Sequence, residues 1–302
     1  MVADFSEVRM KALKKEDIAE RVSLNTIIVN LLLTVFKLFA GIFAHSAAMI
    51  SDAVHSASDV FSTVIVIIGV RLAKKSSDDE HQYGHERFEC VAAILLSVML
   101  AFTGFGIGLS GVRSIISQQK ITVPGALALA AAVISVIVKE IMFQYTASAA
   151  KKVNSGALMA DAWHHRSDAL SSIGSFIGIF GAMIGFPMLD PLASVIICIF
   201  IFKVAIEIFI DAIGKMTDRA ASGETVQKIR EVALSQEGVI EIDDLKTRKF
   251  GDKVYIDLEI AVDGSMTLNE AHAIAERVHD KIELSIPSAK HCMVHINPYT
   301  DE

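Results

Sequence analysis

The sequence reads Asp52-Ala53-Val54-His55-Ser56-Ala57-Ser58-Asp59 in one apolar segment and Asp161-Ala162-Trp163-His164-His165-Arg166-Ser167-Asp168 in another. Both stretches contain an aspartate, a histidine three residues later and a second aspartate four residues after that. On an α-helix, side chains four positions apart lie on the same face, one turn from each other. The sequence therefore predicts that His55 and Asp59 share one helix face, and that His164 and Asp168 share a face of a second helix.

The two histidine–aspartate pairs together make a candidate metal site. If the two helices face each other, each contributes one imidazole and one carboxylate to a four-ligand cage. Such a tetrahedral set of nitrogen and oxygen ligands suits Zn²⁺. The alternative is that these side chains only form hydrogen bonds between helices. Because ionisable groups are costly in a bilayer and usually mark function there, and because the pair is repeated, the pattern favours metal binding.

The composition favours a membrane protein with a polar C-terminal part. Of 302 residues, 52% are hydrophobic, and six apolar runs are long enough to cross roughly 30 Å of hydrocarbon. These runs lie at residues 22–43, 47–72, 88–115, 123–148, 155–183 and 189–213. We expect an α-helical membrane domain with six transmembrane helices at 22–213, after an amphipathic or partly disordered segment at 1–21 and before a C-terminal domain at 214–302.

The basic residues predict the orientation in the membrane. Lysine and arginine are concentrated in the N-terminal segment, in the 71–87 loop and in the 149–153 link, whereas the links near 44–46 and 184–188 have none. Cytoplasmic loops carry the excess of basic residues. Both termini are therefore expected in the cytoplasm, in a multi-pass protein of the cell (inner) membrane that is surrounded by the lipid bilayer.

The remaining charges and the cysteines narrow the possible functions. A net charge of −7 without a basic run argues against nucleic-acid binding. Cys90, Cys198 and Cys292 are far apart, which fits buried reduced thiols and predicts neither disulfides nor a zinc knuckle. The polar N-terminal segment is not typical of a cleavable signal peptide. In the fourth span, Lys139 and Glu140 are interpreted as paired or as snorkelling to the interface.

The C-terminal domain is expected to be a small α+β fold. Periodicity predicts helices at residues 223–236 and 267–284 and strands at residues 239–250, 253–262 and 290–297. The first two strands are joined through Gly251-Asp252, which is a hairpin signal. The order αββαβ predicts helices packed on one face of a sheet.

The ligand chemistry couples metal to protons. Metal binds the neutral imidazole and the ionised carboxylate, so metal ions and protons compete for the same atoms. Side chains that lose protons when a metal ion arrives, and regain them when it leaves, couple the two movements. This is the chemistry of a metal/proton antiporter.

The chain resembles the cation diffusion facilitator family. The six spans, the histidine–aspartate pair in the second and fifth spans, and the αββαβ tail match that family over nearly the whole length. Shorter agreements are Ser46-Ala47-Ala48 followed by Asp52-Ala53, Tyr83-Gly84-His85, and Leu268-Asn269-Glu270-Ala271-His272. The resemblance implies a homodimer that exports Zn²⁺ or a similar divalent ion from the cytoplasm by proton antiport. It also implies that the tail resembles a small ferredoxin-like metallochaperone and dimerises.

The resemblance further implies a metal site in the loop between the second and third spans. Asp78, His81 and His85 match an Asp/His/His pattern there. Acids and histidines at this spacing are adequate metal ligands, and they are equally compatible with a solvated polar loop.

A third implied site lies in the tail. His272 and His295 match family ligand positions, and Asp243 and Glu259 stand where other members can place histidine. Asn297 stands where an aspartate often serves. This set is harder and looser than the family pattern, so the tail is also interpreted as a dimer clamp with weak or no dependence on metal.

Three other functions are alternatives to zinc antiport, and each requires different sequence features or a different activity. The same fold can carry Mn²⁺, Fe²⁺, Co²⁺ or Cd²⁺, although manganese prefers more oxygen ligands than this set offers. An intramembrane metalloenzyme needs an open metal position and a general base, such as an HExxH motif, which the sequence lacks. We therefore expect that the protein is not an enzyme. A membrane metal sensor needs no proton coupling, and a transport assay in vesicles distinguishes a sensor from a transporter.

Overall fold

The computed structural model describes the backbone of residues 2–43, 47–117, 126–183 and 189–299. Within these ranges side chains are described except at 2–17, 41, 47–55, 57–58, 114, 117, 126–132, 171–172, 174–183, 189–191 and 193–194. Six long helices come first: α1 (Val2–Phe43), α2 (Ala47–Ala73), α3 (Arg87–Ser117), α4 (Ala126–Val153), α5 (Gly156–Met183) and α6 (Leu189–Met216).

Three of these helices contain, within the described residues, a stretch that is long and apolar enough to cross a membrane. The stretches are Ile18–Ala40, Arg87–Arg113 and Val133–Val153. The shortest has 21 residues, which cover roughly 30 Å at about 1.5 Å per residue. Phe61 and Phe102 are both 71% exposed, as expected for side chains that face lipid in a membrane.

Small residues let the membrane helices approach closely. α4 packs along α5, and α3 packs against both α2 and α5. The buried contacts include many alanines, among them Ala92, Ala150 and Ala157. A Cβ atom on Gly69 of α2 would lie 2.4 Å from the Cβ atom of Ala92 on α3, so position 69 has no room for a side chain. Close approach through small residues is typical of membrane bundles.

α1 begins earlier than the sequence predicted. The predicted span starts at residue 22, whereas the helix runs without a break from Val2 to Phe43. The carboxylate of Glu20 on α1 accepts hydrogen bonds from Arg71 at 2.9 Å and from Lys74 at 3.3 Å. These bonds fasten α1 to the C-terminal end of α2.

The chain divides into two compact units, one of Lys15–Ala212 and one of Ile213–Glu302 with Met1–Lys14. The second unit contains α7 (Gly223–Leu234), β1 (Glu241–Phe250), β2 (Lys253–Val262), α8 (Leu268–Ser285) and β3 (Ala289–Pro298). This order is the expected αββαβ. β2 is the central strand; it pairs antiparallel with β1 and parallel with β3, and α8 makes the crossover.

The sheet of the second unit buries one face under its helices. Ile256, Leu258 and Ile260 of β2 share a core with Val278 and Ile282 of α8. Successive residues of a strand face opposite sides of the sheet. The polar residues that alternate with this core therefore lie on the other face, where the predicted tail site falls.

Candidate metal centre

Three membrane helices bring charged side chains together inside the Lys15–Ala212 unit. Asp59 of α2, Lys139 of α4, and His164 and Asp168 of α5 form one cluster of hydrogen bonds. Asp59 and Lys139 are each 2% exposed, and His164 is 7% exposed. Because ionisable groups inside membrane helices are costly and mark function, this cluster is the strongest candidate site among the described membrane residues.

The ligand atoms of Asp59, His164 and Asp168 are close enough to approach one ion. One imidazole nitrogen and one oxygen from each carboxylate all lie within 4.8 Å of one another. A zinc ion with bonds of ~2.0–2.2 Å holds tetrahedral ligand atoms roughly 3.4 Å apart, so the ligand atoms have to move closer together when a zinc ion binds. The structure thus brings together three of the four residues predicted for this site.

The fourth predicted ligand, His55, lies on α2 one turn before Asp59, and its side chain is outside the described side chains. Across the site, Nε2 of His164 lies 3.2 Å from Oδ1 of Asp59. A carboxylate can only accept a hydrogen bond, so Nε2 carries the proton in this contact. A metal ion can bind that nitrogen only after the proton leaves it.

Lys139 is the member of the cluster that the repeated motif does not indicate. Its ammonium donates to Oδ2 of Asp59 at 2.6 Å and to Oδ2 of Asp168 at 3.0 Å. Of the two interpretations made from the sequence, the structure supports pairing and not snorkelling. The neighbouring Glu140 lies 3.8 Å from Arg166. The sequence did contain a signal for this pairing: Lys139 lies within an apolar span, and two other spans contain the aspartates of the repeated motif.

Further polar contacts surround the cluster. Oδ1 of Asp161 accepts a hydrogen bond from Thr63 of α2 at 3.1 Å, and Oδ2 lies 3.6 Å from Nε2 of His165. Asp161 and His165 are both completely buried. Lys37 of α1 donates to Ser56 of α2 at 2.8 Å. These contacts fix how α1, α2 and α5 are rotated around the site.

The loop after α2 forms a second group of possible ligands. Asp78, His81 and His85 each place one ligand atom within 4.8 Å of the others, so the structure brings all three predicted loop residues together. Nδ1 of His81 lies 3.7 Å from Oδ1 of Asp78, and Nε2 of His85 lies 3.5 Å from Oδ2. Nδ1 of His85 lies 3.2 Å from the carbonyl oxygen of Lys75. If Nδ1 donates to that carbonyl, Nε2 carries the lone pair that binds a metal.

Asp78 organises this loop. Its carboxylate accepts hydrogen bonds from Lys75 at 2.5 Å and from the backbone N–H groups of His81 at 2.8 Å and Glu80 at 3.2 Å. The Lys75 hydrogen bond, followed by the His81 backbone bond, holds the pKa of Asp78 well below its ordinary value of 3.8. The carboxylate therefore stays ionised, and able to bind a cation, at neutral and mildly acidic pH.

Replacing Asp78 with alanine is expected to loosen the loop. The backbone N–H groups of residues 80 and 81 lose their acceptor, so hydrogen exchange at these amides is expected to speed up by about tenfold. Hydrogen exchange of the full-length protein, read by mass spectrometry, measures the change. Asp79→Ala is the matched control in the same loop. Equal exchange rates in the two variants would contradict this role for Asp78.

The predicted tail residues are only partly brought together. The side-chain amide of Asn297 donates to Asp243 at 2.7 Å and to Glu259 at 3.4 Å. His295 is the register partner of Glu259 in the β2–β3 pair, so these two residues lie on one face of the sheet. His272 lies exposed on α8, 3.4 Å from a glutamate of the same helix. Among the described residues of this domain, no three ligand atoms lie within 4.8 Å of one another, and the tail site stays a prediction.

Two family models match the chain. The model of the cation efflux transmembrane domain matches residues 23–216, and that of the cation efflux protein cytoplasmic domain matches residues 221–299. The chain belongs to the cation diffusion facilitator family. This cation efflux protein is accordingly a membrane transporter of metal cations and not an enzyme. The expected fold class, a six-helix membrane domain with a cytoplasmic αββαβ domain, is confirmed.

Relatives of this cation efflux protein share most of its length. An uncharacterised transporter of Methanocaldococcus jannaschii is 36% identical over 90% of this chain and 95% of its own. The manganese efflux system protein MneP of Bacillus subtilis is 28% identical over 96% of this chain and 100% of its own. MneS, a second manganese efflux system protein of that organism, is 32% identical over 91% of this chain and 93% of its own. The match to the cytoplasmic domain also indicates dimerisation.

Proposed function

We propose that this protein exports Zn²⁺ from the cytoplasm in exchange for protons, across the cell (inner) membrane and with both termini in the cytoplasm. The observation that carries the proposal is the convergence of Asp59, His164 and Asp168 between α2 and α5, with ligand atoms within 4.8 Å. His55, one turn before Asp59, completes a set of two nitrogens and two oxygens. This set suits zinc better than it suits harder ions.

Proton exchange is supported by what the ligand atoms hold when no metal is bound. Nε2 of His164 lies 3.2 Å from Oδ1 of Asp59, and a nitrogen in this contact with an ionised carboxylate carries a proton. Zn²⁺ has to replace this proton, and protons compete with the metal for the same nitrogen and oxygen atoms. Proton binding on the outer side therefore promotes metal release there. Rocking of the helices around a fixed site near the midplane exposes the site to each side in turn.

The loop and the tail take supporting roles. Asp78, His81 and His85 form a second divalent-metal site on the cytoplasmic side, because their ligand atoms already face one another. The tail domain joins two copies into a homodimer. Asn297 donates to both neighbouring carboxylates, which supports the interpretation of the tail as a dimer clamp with weak or no dependence on metal.

Manganese is the second candidate cargo. MneP and MneS, which resemble this chain along its length, are named as manganese efflux proteins. Two of the three described ligands are carboxylates, which manganese favours. Zinc remains the first candidate because the full predicted set contains as many imidazoles as carboxylates.

The experiment that tests the proposal is metal uptake by the purified protein in proteoliposomes under an imposed pH gradient. Zn²⁺, Mn²⁺, Fe²⁺ and Cd²⁺ are compared in separate vesicles, each with and without the gradient. Zn²⁺ is expected to move fastest, in the direction opposite to the protons, and protein-free vesicles are expected to stay empty. Faster uptake of Mn²⁺ would change the cargo to manganese. Zinc uptake that ignores the gradient would exclude antiport.

A further inference from the structure

We propose that Lys139 is a built-in competitor of the transported metal: its ammonium occupies the carboxylate cage when no ion is bound, and it must leave before an ion can bind. This inference rests on the proposed function and adds a residue that sets the affinity and selectivity of the site. It follows from the contacts, the burial and the charge of a single side chain.

The ammonium of Lys139 contacts the two carboxylates that would bind the metal ion. Its Nζ is 2.6 Å from Oδ2 of Asp59 and 3.0 Å from Oδ2 of Asp168. These two carboxylates, together with His164, are the group whose ligand atoms converge. An ion bonded to both carboxylates at ~2.0–2.2 Å would compete with Nζ for the same two groups, and two positive charges that share these carboxylates repel each other. Metal and ammonium therefore occupy the cage alternately.

Charge balance explains why the bundle keeps a lysine at this point. Two carboxylates this close together in an apolar bundle repel each other and are costly without a cation. Lys139 supplies that cation from a third helix, α4, and it is 2% exposed. The metal-free site is therefore partly neutralised, and α2 and α5 stay in the arrangement that a metal ion needs.

The Lys139 ammonium also selects among cations, because a cation can bind only if its affinity for the ligands is high enough to displace the ammonium. Metal binds only to molecules in which the lysine has left the cage, so the apparent dissociation constant rises as that fraction falls. Mg²⁺ dehydrates reluctantly and prefers oxygen ligands in an octahedral arrangement, so this cage offers it little with which to displace the ammonium. Zn²⁺ bonds strongly to imidazole as well as to carboxylate and can displace it. Lys139 is in this way a specificity-determining residue.

The test is calorimetric binding of Zn²⁺ and Mg²⁺ to the full-length protein for the native lysine, Lys139→Met and Lys139→Gln. All three proteins also carry Asp78→Ala, His81→Ala and His85→Ala, so that the loop does not bind metal. Loss of the ammonium is expected to tighten Zn²⁺ binding by about tenfold or more, because the cage is then always open. Mg²⁺ is expected not to compete with Zn²⁺ for the protein that has Lys139, and to compete with it for both variants.

Thermal unfolding gives a second measurement. Without metal, both variants are expected to unfold at a lower temperature than the lysine protein, and Zn²⁺ is expected to restore more stability to them than to it. Lys203→Met is the matched control, because Lys203 is exposed on α6 and lies 3.9 Å from Glu207. It is expected to change neither the zinc affinity nor the response to Mg²⁺. If the methionine variant does not fold, the glutamine variant, which keeps a polar side chain, decides.

The outcomes separate this inference from the proposed function. Zinc affinity that is unchanged or weaker in the folded Lys139 variants, in a protein whose native form binds and transports zinc, would overturn the competitor role and leave the function standing. A native protein that neither binds nor transports zinc would overturn the proposed function, and this inference with it.

Discussion

Replacement of Asp59 by asparagine is expected to abolish zinc uptake in proteoliposomes. Asp59 contacts both His164 and Lys139, so the substitution removes one ligand charge and weakens the hold on a second ligand. Loss of groups that only hydrogen-bond to ligands already costs about 10–100-fold in metal affinity, so loss of a ligand is expected to cost at least about 100-fold. Asparagine has the size of aspartate and preserves the packing of α2.

The control for this substitution is Glu207→Gln, which removes a carboxylate from an exposed position on α6. Its zinc affinity and uptake are expected to equal those of the native protein. Asp168→Asn is expected to reproduce the loss, because Asp168 supplies the second carboxylate of the cage. Zinc uptake at the native rate by Asp59→Asn would exclude the α2–α5 cluster from the transport path.

Replacement of His164 by aspartate is expected to shift the cargo from zinc toward manganese. The site then has one imidazole and three carboxylates, an oxygen-rich set that Mn²⁺ accepts and Zn²⁺ prefers less. In a competition assay with both ions present, the ratio of zinc uptake to manganese uptake is expected to fall by about tenfold or more. Purified protein in proteoliposomes with an imposed pH gradient is again the system.

His291→Asp makes the same chemical change on the surface of the tail domain, where His291 is exposed. The uptake ratio of this control is expected to match that of the native protein. A ratio that stays unchanged in a transport-competent His164→Asp variant would mean that nitrogen ligands do not select the metal. The selectivity would then have to come from the pathway that leads to the site.

The histidine–aspartate pairs illustrate how much local periodicity can predict. A spacing of four residues predicts a shared helix face, and the structure places both His164 and Asp168 in the cluster with Asp59. The αββαβ order was equally accessible, because alternation and turn residues are local signals. β2 begins and ends at Lys253 and Val262, the bounds that the alternating pattern predicted.

Lys139 marks the point at which local patterns stop being informative. It is 80 residues from Asp59 and 29 residues from Asp168 in the chain, so only the packing of helices brings the three together. Considered alone, a lysine on an apolar helix is equally compatible with snorkelling. Asn297 is a similar case: its departure from the family pattern was visible in the sequence, but its bridge between two carboxylates depends on the register of three strands.

The close contact between Gly69 and Ala92 fixes the position of α2 relative to α3. Gly69 lies ten residues beyond Asp59, which is about 15 Å along the helix axis. A Cβ atom at position 69 would come within 2.4 Å of Ala92. A bulkier residue there would therefore push α2 away from α3 and shift the part of α2 that carries Asp59. The geometry of the metal site can thus be changed by a substitution at Gly69, a residue that does not itself contact the ion.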